Sequence, residues 1–449
     1  MTSATLYTKT AQVLPAETRR ESKRRFVVRA VFFLFALMLV EGPLRKWALP
    51  GLSGPLVLLR DPFALALYAY CFANGLIWMR GLAGAWLALG WITAMLGLAQ
   101  YMVNGYGFEG WMLGVRTYWL YMPLAFVVAR AFEPEDVHRL LRWILIIAVP
   151  YSLLVATQYN APPFAFVNQG VAKDTSAAVR VAEGIFRPFG LFTYTGPNVQ
   201  YTTFTVAIFF AFYLSGLRVK YHKLFLAVTA CAVGAMSVLT GSRGIYFIVG
   251  VTIFFTVGGL LAMRPGSHTF RRTIGIVGFV AFAGTLFVTV FPDMFTAMEL
   301  RFERAARSES MSDRVLGVFT RWTDPLFTAP ILGHGIGLGA PGVANYLGVS
   351  NLLFGEGDLQ RNVNELGVLF GLVLIVMRWV TAIWLYLASL RLAGRGIVLA
   401  LPLAGFAAVP LTVGQITHSP YLAFLPWVTL GMVACLMRHT QTRHLGYKK

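Results

Sequence analysis

Apolar runs about twenty residues long, separated by short polar stretches, set the pattern of this chain from residue 26 to residue 437. A run of that length matches the hydrocarbon thickness of a bilayer, so the pattern predicts an all-α polytopic membrane protein with about 12 transmembrane helices. The runs lie at about 26–42, 56–78, 82–103, 112–131, 140–158, 199–216, 224–240, 245–263, 273–291 and 367–390, and two more turn near His418. Two polar intervals, 159–197 and 292–366, are longer than a helix connection needs. The order is then a basic segment 1–25, nine spans over 26–291, a large loop 292–366, three spans over 367–437, and a basic tail 438–449.

Composition fits this reading. The chain is 57% hydrophobic and 13% charged, with a mean hydropathy of +0.65, whereas a soluble domain carries about a quarter charged residues. A net charge of +19 would suit a nucleic-acid binder, but the basic residues argue against that. They cluster in short segments beside the spans, as at Arg19 to Arg25, Arg218 to Lys223, Arg264 to Arg272, and Arg391 to Arg395. That is the positive-inside signature, and it predicts cytoplasmic termini and two long loops on the outer face. Glu133 to Arg139 reads as an inner interfacial turn, and Pro43 to Trp47 as the start of an outer loop. Cys71, Cys231 and Cys435 lie far apart inside apolar runs, which gives no disulfide or metal framework.

The outer-face charges need a reason, because arginines there run against the bias. Arg116, Arg180, Arg187, Arg243, Arg301, Arg304, Arg307, Arg314 and Arg361 all fall on that side. Guanidinium groups pair bidentately with phosphate, and the phosphate at hand for a membrane protein is a lipid headgroup or a lipid-linked diphosphate. Arg243 is the sharpest case, because it lies in the one-turn connection Gly241-Ser242-Arg243-Gly244 at the membrane edge, with snorkelling to water as the bland alternative. With Glu299, Glu303 and Glu309 interleaved, Arg301, Arg304 and Arg307 also read as a solvated amphipathic helix.

In the large loop, Gly333-His334-Gly335-Ile336-Gly337-Leu338-Gly339 has no strand before it and no helix directly after it, so it is not a nucleotide loop. Its glycines suit a flexible segment close over a ligand, and His334 reads as a base, a metal ligand or, with no second histidine near it, a structural hydrogen-bonding group. If residues 356–370 form one helix entering the next span, Asp358, Arg361 and Glu365 share a face and point into an outer cavity, with Glu356 beside them. An acid there suits a general base, and arginines suit a departing diphosphate. A salt-bridged helix start is the plainer alternative.

The segment Glu41-Gly42-Pro43-Leu44-Arg45-Lys46-Trp47, the ending Arg187…Gly190…Pro197-Asn198, the Ser242-Arg243 turn, Gly333 to Gly339, and Glu356…Arg361…Glu365-Leu366-Gly367…Gly371 together resemble the O-antigen polymerase and ligase superfamily, most closely the Wzy-type exopolysaccharide or capsule polymerases. The resemblance implies a GT-C-like membrane glycosyltransferase of the bacterial inner membrane with its active site facing the periplasm. Its substrate would be an undecaprenyl-diphosphate-linked oligosaccharide, and a flippase and a chain-length regulator would be its partners. The implied reaction needs no cofactor and no metal ion. By the same resemblance Arg187 and Arg243 hold the donor diphosphate, Arg314 or Arg361 assists, and Glu356 or Asp358 activates the acceptor hydroxyl. Ligases of the superfamily carry a histidine in the segment entering the span after the large loop, and here that segment has none. A lipid-linked oligosaccharide flippase is the rival from another class. It would need charges deep in the bundle, and the mid-span regions read as nearly free of them.

Overall fold

The computed structural model describes residues 16–171, 180–182, 185–263, 265–290, 319–349 and 357–446, with the single positions 292, 296, 317 and 355. Helices dominate in the order α1 (Ala16–Pro43), α2 (Asp61–Ala73), α3 (Leu82–Val103), α4 (Gly107–Trp119), α5 (Met122–Ala131), α6 (Pro134–Asn160), α7 (Thr195–Ser215), α8 (His222–Leu239), α9 (Arg243–Met263) and α10 (Ser267–Val290). There follow α11 (Pro341–Leu347), α12 (Asp358–Gly394), α13 (Ala400–Thr412) and α14 (Pro420–Gly446). Strands β1 (Arg180–Ala182) and β2 (Ile185–Phe186) pair as a small antiparallel hairpin in the first long loop.

Among the described residues, nine helices are long and apolar enough to cross a membrane, or ten if α4 and α5, bent by 44°, make one span. This is a polytopic membrane protein. The difference from the expected twelve falls on α7 and α13. Helix α7 carries Asn198, Gln200, Thr202, Thr203 and Thr205, all buried, and α13 has only 13 residues. Both lie inside the bundle beside α14, which is itself almost wholly buried over its apolar length. A helix enclosed by protein can seat hydroxyls and amides on its neighbours, so it does not need the hydropathy of a lipid-facing one.

Three local features differ from the sequence reading. Leu44 to Ala48 continues α1 as a π-helical turn rather than opening a loop, and Lys46 in it is buried. The Glu133 to Arg139 segment is not a turn before a span but the first turns of α6, started by a reciprocal capping box between Glu133 and Asp136. Residues 358–394 are not one continuous helix. Gly367 takes φ 82° and ψ 170°, a conformation only glycine adopts readily. The helix there doubles back, so that a Cβ on Gly371 would stand 2.6 Å from Val363 Cα. The short arm 358–366 therefore lies against the start of the long arm.

Candidate functional site: an arginine-lined cleft at one end of the bundle

The hairpin at Gly367 brings together groups that are far apart in sequence. Asp358 pairs with Arg361 on its own arm and with Arg378 on the other, at 2.8 Å, and its Oδ2 also accepts the Thr417 N–H at 3.2 Å. All three charged side chains are buried. At 1.5 Å per residue Arg378 lies about 16 Å along the helix from Gly367, so the apolar run read as 367–390 carries a buried charge. Its guanidinium is satisfied by Asp358 and by carbonyls at the end of α13, Leu411 at 2.9 Å and Pro410 at 3.1 Å, with Gly414 at 2.5 Å just beyond. Those carbonyls are the ones a helix C-terminus leaves without intrahelical partners. Asn362 completes the network: its amide nitrogen donates to Tyr118 Oη at 3.1 Å and Thr417 Oγ1 at 2.8 Å, and its oxygen accepts from Arg378.

Glu365 has a different role from the one expected. Its carboxylate points into the glycine-rich loop, accepting the N–H of Gly337 at 2.9 Å, the N–H of Gly339 at 2.7 Å, and Tyr118 Oη at 2.5 Å. The loop is also tied down through the His334 and Gly335 N–H groups, which donate to the Asn364 and Glu365 carbonyls, both at 3.0 Å. Tyr101 of α3 donates to the Ile336 carbonyl at 2.8 Å. The nest that glycines form is an anion seat, and here the anion is the protein's own side chain. Arg361 Nη1 donates to the Gly339 carbonyl at 3.3 Å, which links the nest to the ion cluster.

The first long loop is seated just as firmly. Lys46 Nζ donates to the carbonyls of Gly190 at 2.9 Å and Phe192 at 2.8 Å and lies 4.3 Å from the Phe189 ring centre. Gln158 exchanges two hydrogen bonds with the Gly190 backbone, and Asn198 Nδ2 donates to the Pro188 carbonyl. Gly42 packs so closely that a Cβ would fall 1.9 Å from the Leu191 oxygen. Residues 41–47 and 187–198, which carry part of the sequence resemblance, thus form one contact.

Between these two anchored loops opens a cleft of about 370 Å³, lined by Glu41, Arg45, Arg116, Tyr194, His418 and Tyr421 among others. Six stretches of the chain meet there: the end of α1, the approach to α2, α4, the approach to α7, the start of α11, and the turn into α14. Arg116 pairs with Asp61 and donates to the Val57 carbonyl at 2.7 Å. Glu41 is held through Oε2 by Arg60 at 2.6 Å, while Oε1 is 3.5 Å from Arg45. Arg60 is fully buried behind it, its guanidinium 4.2 Å from the centre of the Tyr421 ring. Neither of its terminal nitrogens has a hydrogen-bond partner among the described residues. Stacking on a tyrosine face offsets part of that cost.

His418 lies at the inner edge of the cleft, with Nδ1 in hydrogen-bonding contact with Arg361 Nη1. A guanidinium only donates, so Nδ1 accepts and the imidazole proton sits on Nε2. Burial, reinforced by the Arg361 charge, pushes its pKa down to about 4. The ring is therefore a neutral donor at physiological pH.

The structure brings Arg116 to the cleft and places Arg361 directly behind it. Arg187 and Arg243 are half-buried, the latter opening α9, and neither lines the cleft. His334 is exposed and stands apart from it. Arg180 lies in β1, paired in register with Phe186. Glu356 and Arg314, like Arg301, Arg304 and Arg307, lie outside the described residues. Sequence reasoning singled out neither His418 nor Arg60 nor Arg378, and it took Glu41 and Arg45 only as part of a motif. The available signal was an ionisable residue within or at the edge of an apolar run, which in a membrane protein marks a pathway or a site. No protein-family model matches the chain, and a search of curated proteins finds no match.

Proposed function

We propose that this protein is a membrane-embedded glycosyltransferase that joins lipid-diphosphate-linked oligosaccharide units into a surface polysaccharide. The observation that supports this reading best is the cleft itself: Arg45, Arg116 and the neutral donor His418 share its lining with the carboxylate of Glu41. Arginines at the bilayer edge suit a diphosphate that stays tethered to its lipid, and they stabilise the charge that develops as it leaves. In the reaction, an acceptor hydroxyl attacks the anomeric carbon of the donor sugar. A glycosidic C–O bond forms, the C–O bond to the diphosphate breaks, and the hydroxyl proton passes to a carboxylate.

Both oxygens of Asp358 are engaged by Arg361, Arg378 and the Thr417 amide. Glu41 is also closed to solvent, but it borders the cleft, with one oxygen held by Arg60 at 2.6 Å and the other facing Arg45 at 3.5 Å beside Tyr421. Glu41 is therefore the better candidate for the base among the described acids. The ends of α1, α6 and α14 opposite the cleft carry Arg24, Arg139 and Arg438. By the positive-inside rule these arginines favour a cytoplasmic location for that end, which supports a cleft facing the periplasm in this reading.

The test is reconstitution of the purified protein with one polyprenyl-diphosphate-linked oligosaccharide, followed by sizing of the lipid-linked products. A ladder at multiples of the unit supports a polymerase. Products that form only when a lipid A-core acceptor is added mean a ligase. Leaflet exchange without new bonds means a flippase, a reading favoured by one observation, the charged side chains buried within the bundle.

A further inference from the structure

A second site lies at the end of the bundle away from the cleft. Glu41 lies near the end of α1 and Tyr421 at the start of α14, with the Asp358–Arg378 pair of α12 beside them. At the other end these three helices carry Arg24, Arg391 and Arg438. Around that second end a groove of about 310 Å³ runs between α3 and α5 on one side and α12 and α14 on the other. Its polar lining includes Arg80, Arg391 and Arg438, with the tryptophans Trp78, Trp86 and Trp384 between them. Alanines of α3, α5 and α14 give it depth, and no carboxylate stands among the described residues that line it.

We propose that this groove binds one anionic phospholipid of the cytoplasmic leaflet, with the headgroup phosphate among the three arginines and an acyl chain along the apolar wall. Tryptophan and arginine are the side chains suited to the depth where headgroup meets hydrocarbon, since each has an apolar body and a polar end. Trp86 Nε1 is already committed to Thr381 at 2.8 Å, and Arg438 donates to the Phe132 carbonyl at 2.6 Å and to the Arg130 carbonyl. These two fix the shape of the groove. Arg80 and Arg391 are exposed at its mouth and are the groups that meet the lipid. A zwitterionic headgroup would bring a cation of its own into a groove lined by three guanidinium groups and no acid, whereas an anionic one meets them without that penalty. The bound lipid would bridge α3 and α5 to α12 and α14, the helices that carry Arg378 and Tyr421 further from the groove. This site stands independently of the reaction proposed for the cleft.

The experiment is native mass spectrometry of the full-length protein released from nanodiscs of equimolar phosphatidylglycerol and phosphatidylcholine. The wild type should retain one phosphatidylglycerol per chain, preferred by about 30- to 150-fold, as expected for two or three arginines close to an anionic headgroup. R80Q/R391Q, which changes exposed side chains only, should lose most of that preference. R139Q/R142Q removes the same charge from exposed positions on α6, at the same end but outside the groove, and should keep it. Equal retention of the two lipids by wild type means annular lipid only and overturns the proposal. An equal loss in both double variants means a general surface-charge effect and overturns it as well.

Discussion

Replacing Glu365 with glutamine tests whether the glycine-rich loop is organised by that side chain. The carboxylate accepts one backbone N–H on each oxygen, from Gly337 at 2.9 Å and Gly339 at 2.7 Å, and the Tyr118 hydroxyl besides. Glutamine has nearly the same shape but turns one of those oxygens into an NH2 group. One glycine amide then faces a donor in a buried site, and the other keeps a neutral acceptor where it had a charged one. A hydrogen bond to a charged group contributes about 1.5–3 kcal/mol, and weakening its partner costs about 1 kcal/mol more, so the loop loses about 3 kcal/mol of docking. At about 1.4 kcal/mol per factor of ten, that is roughly a hundredfold increase in the open fraction. Hydrogen exchange followed by mass spectrometry on a peptide covering residues 333–341 reads it directly. Protection of that peptide should fall by about two orders of magnitude in E365Q, while peptides from α7 and α14 stay unchanged. Loop protection equal to that of wild type would refute the assignment of Glu365 as the anion that fills this nest, and would return it to the ligand-facing role its sequence position suggests.

Two further outcomes follow from the ion cluster and its neighbour. R378M should cost about 3–5 kcal/mol, because it strips Asp358 of a buried partner and leaves three carbonyls at the end of α13 without their donor; a melting temperature in detergent within a degree of wild type would contradict this. His418 is held neutral in the folded protein with a pKa near 4, against about 6.5 for an exposed imidazole. The folded state thus binds fewer protons between those values, and stability should be flat above pH 6.5 and decline as pH falls toward 4. H418Q should remove that part of the decline, and melting curves at stepped pH compare the two.

Much of the architecture was legible because the bilayer imposes a strong period on the sequence. Runs that face lipid must be apolar throughout, and among the described residues all nine helices long and apolar enough to cross a membrane coincide with predicted runs. What was less legible depends on partners remote in the chain. Glycines from 333 to 339 announce an anion seat, but the sequence does not say that residue 365 fills it. A lone glycine at 367 looks tolerable within a helix, and only its φ of 82° shows that the chain doubles back there and sets Arg378 against Asp358. The short apolar helix α13 and the hydroxyl-rich α7 counted as spans because periodicity cannot distinguish burial in protein from burial in lipid. His418 went unweighed because an isolated histidine between two apolar runs has no motif around it. Its significance comes from Arg361, 57 residues earlier.

The separation of roles between Glu41 and Asp358 is the point on which the proposed chemistry depends. A general base needs an oxygen that a substrate hydroxyl can approach within hydrogen-bonding distance. Asp358 has no such oxygen without dismantling a buried ion cluster, and it does not line the cleft. Glu41 borders it with its side chain closed to solvent, Arg60 anchoring one oxygen at 2.6 Å and Arg45 facing the other at 3.5 Å, so a substrate hydroxyl reaches that oxygen once Arg45 swings aside. E41Q should therefore lower the rate of chain extension by about 10²–10⁴-fold, the usual contribution of a positioned base, while its amide oxygen still accepts from Arg60 and keeps the fold. D358N should act mainly on stability, lowering the melting temperature, with whatever protein remains folded extending chains at a rate closer to wild type. The two readouts separate catalysis from scaffold, since each variant is expected to move one far more than the other. Should E41Q unfold, E41D, which keeps the charge but draws the carboxylate back by one methylene, carries the same test. Extension by a folded Glu41 variant within tenfold of wild type would remove this residue as the base and direct the search to Glu356.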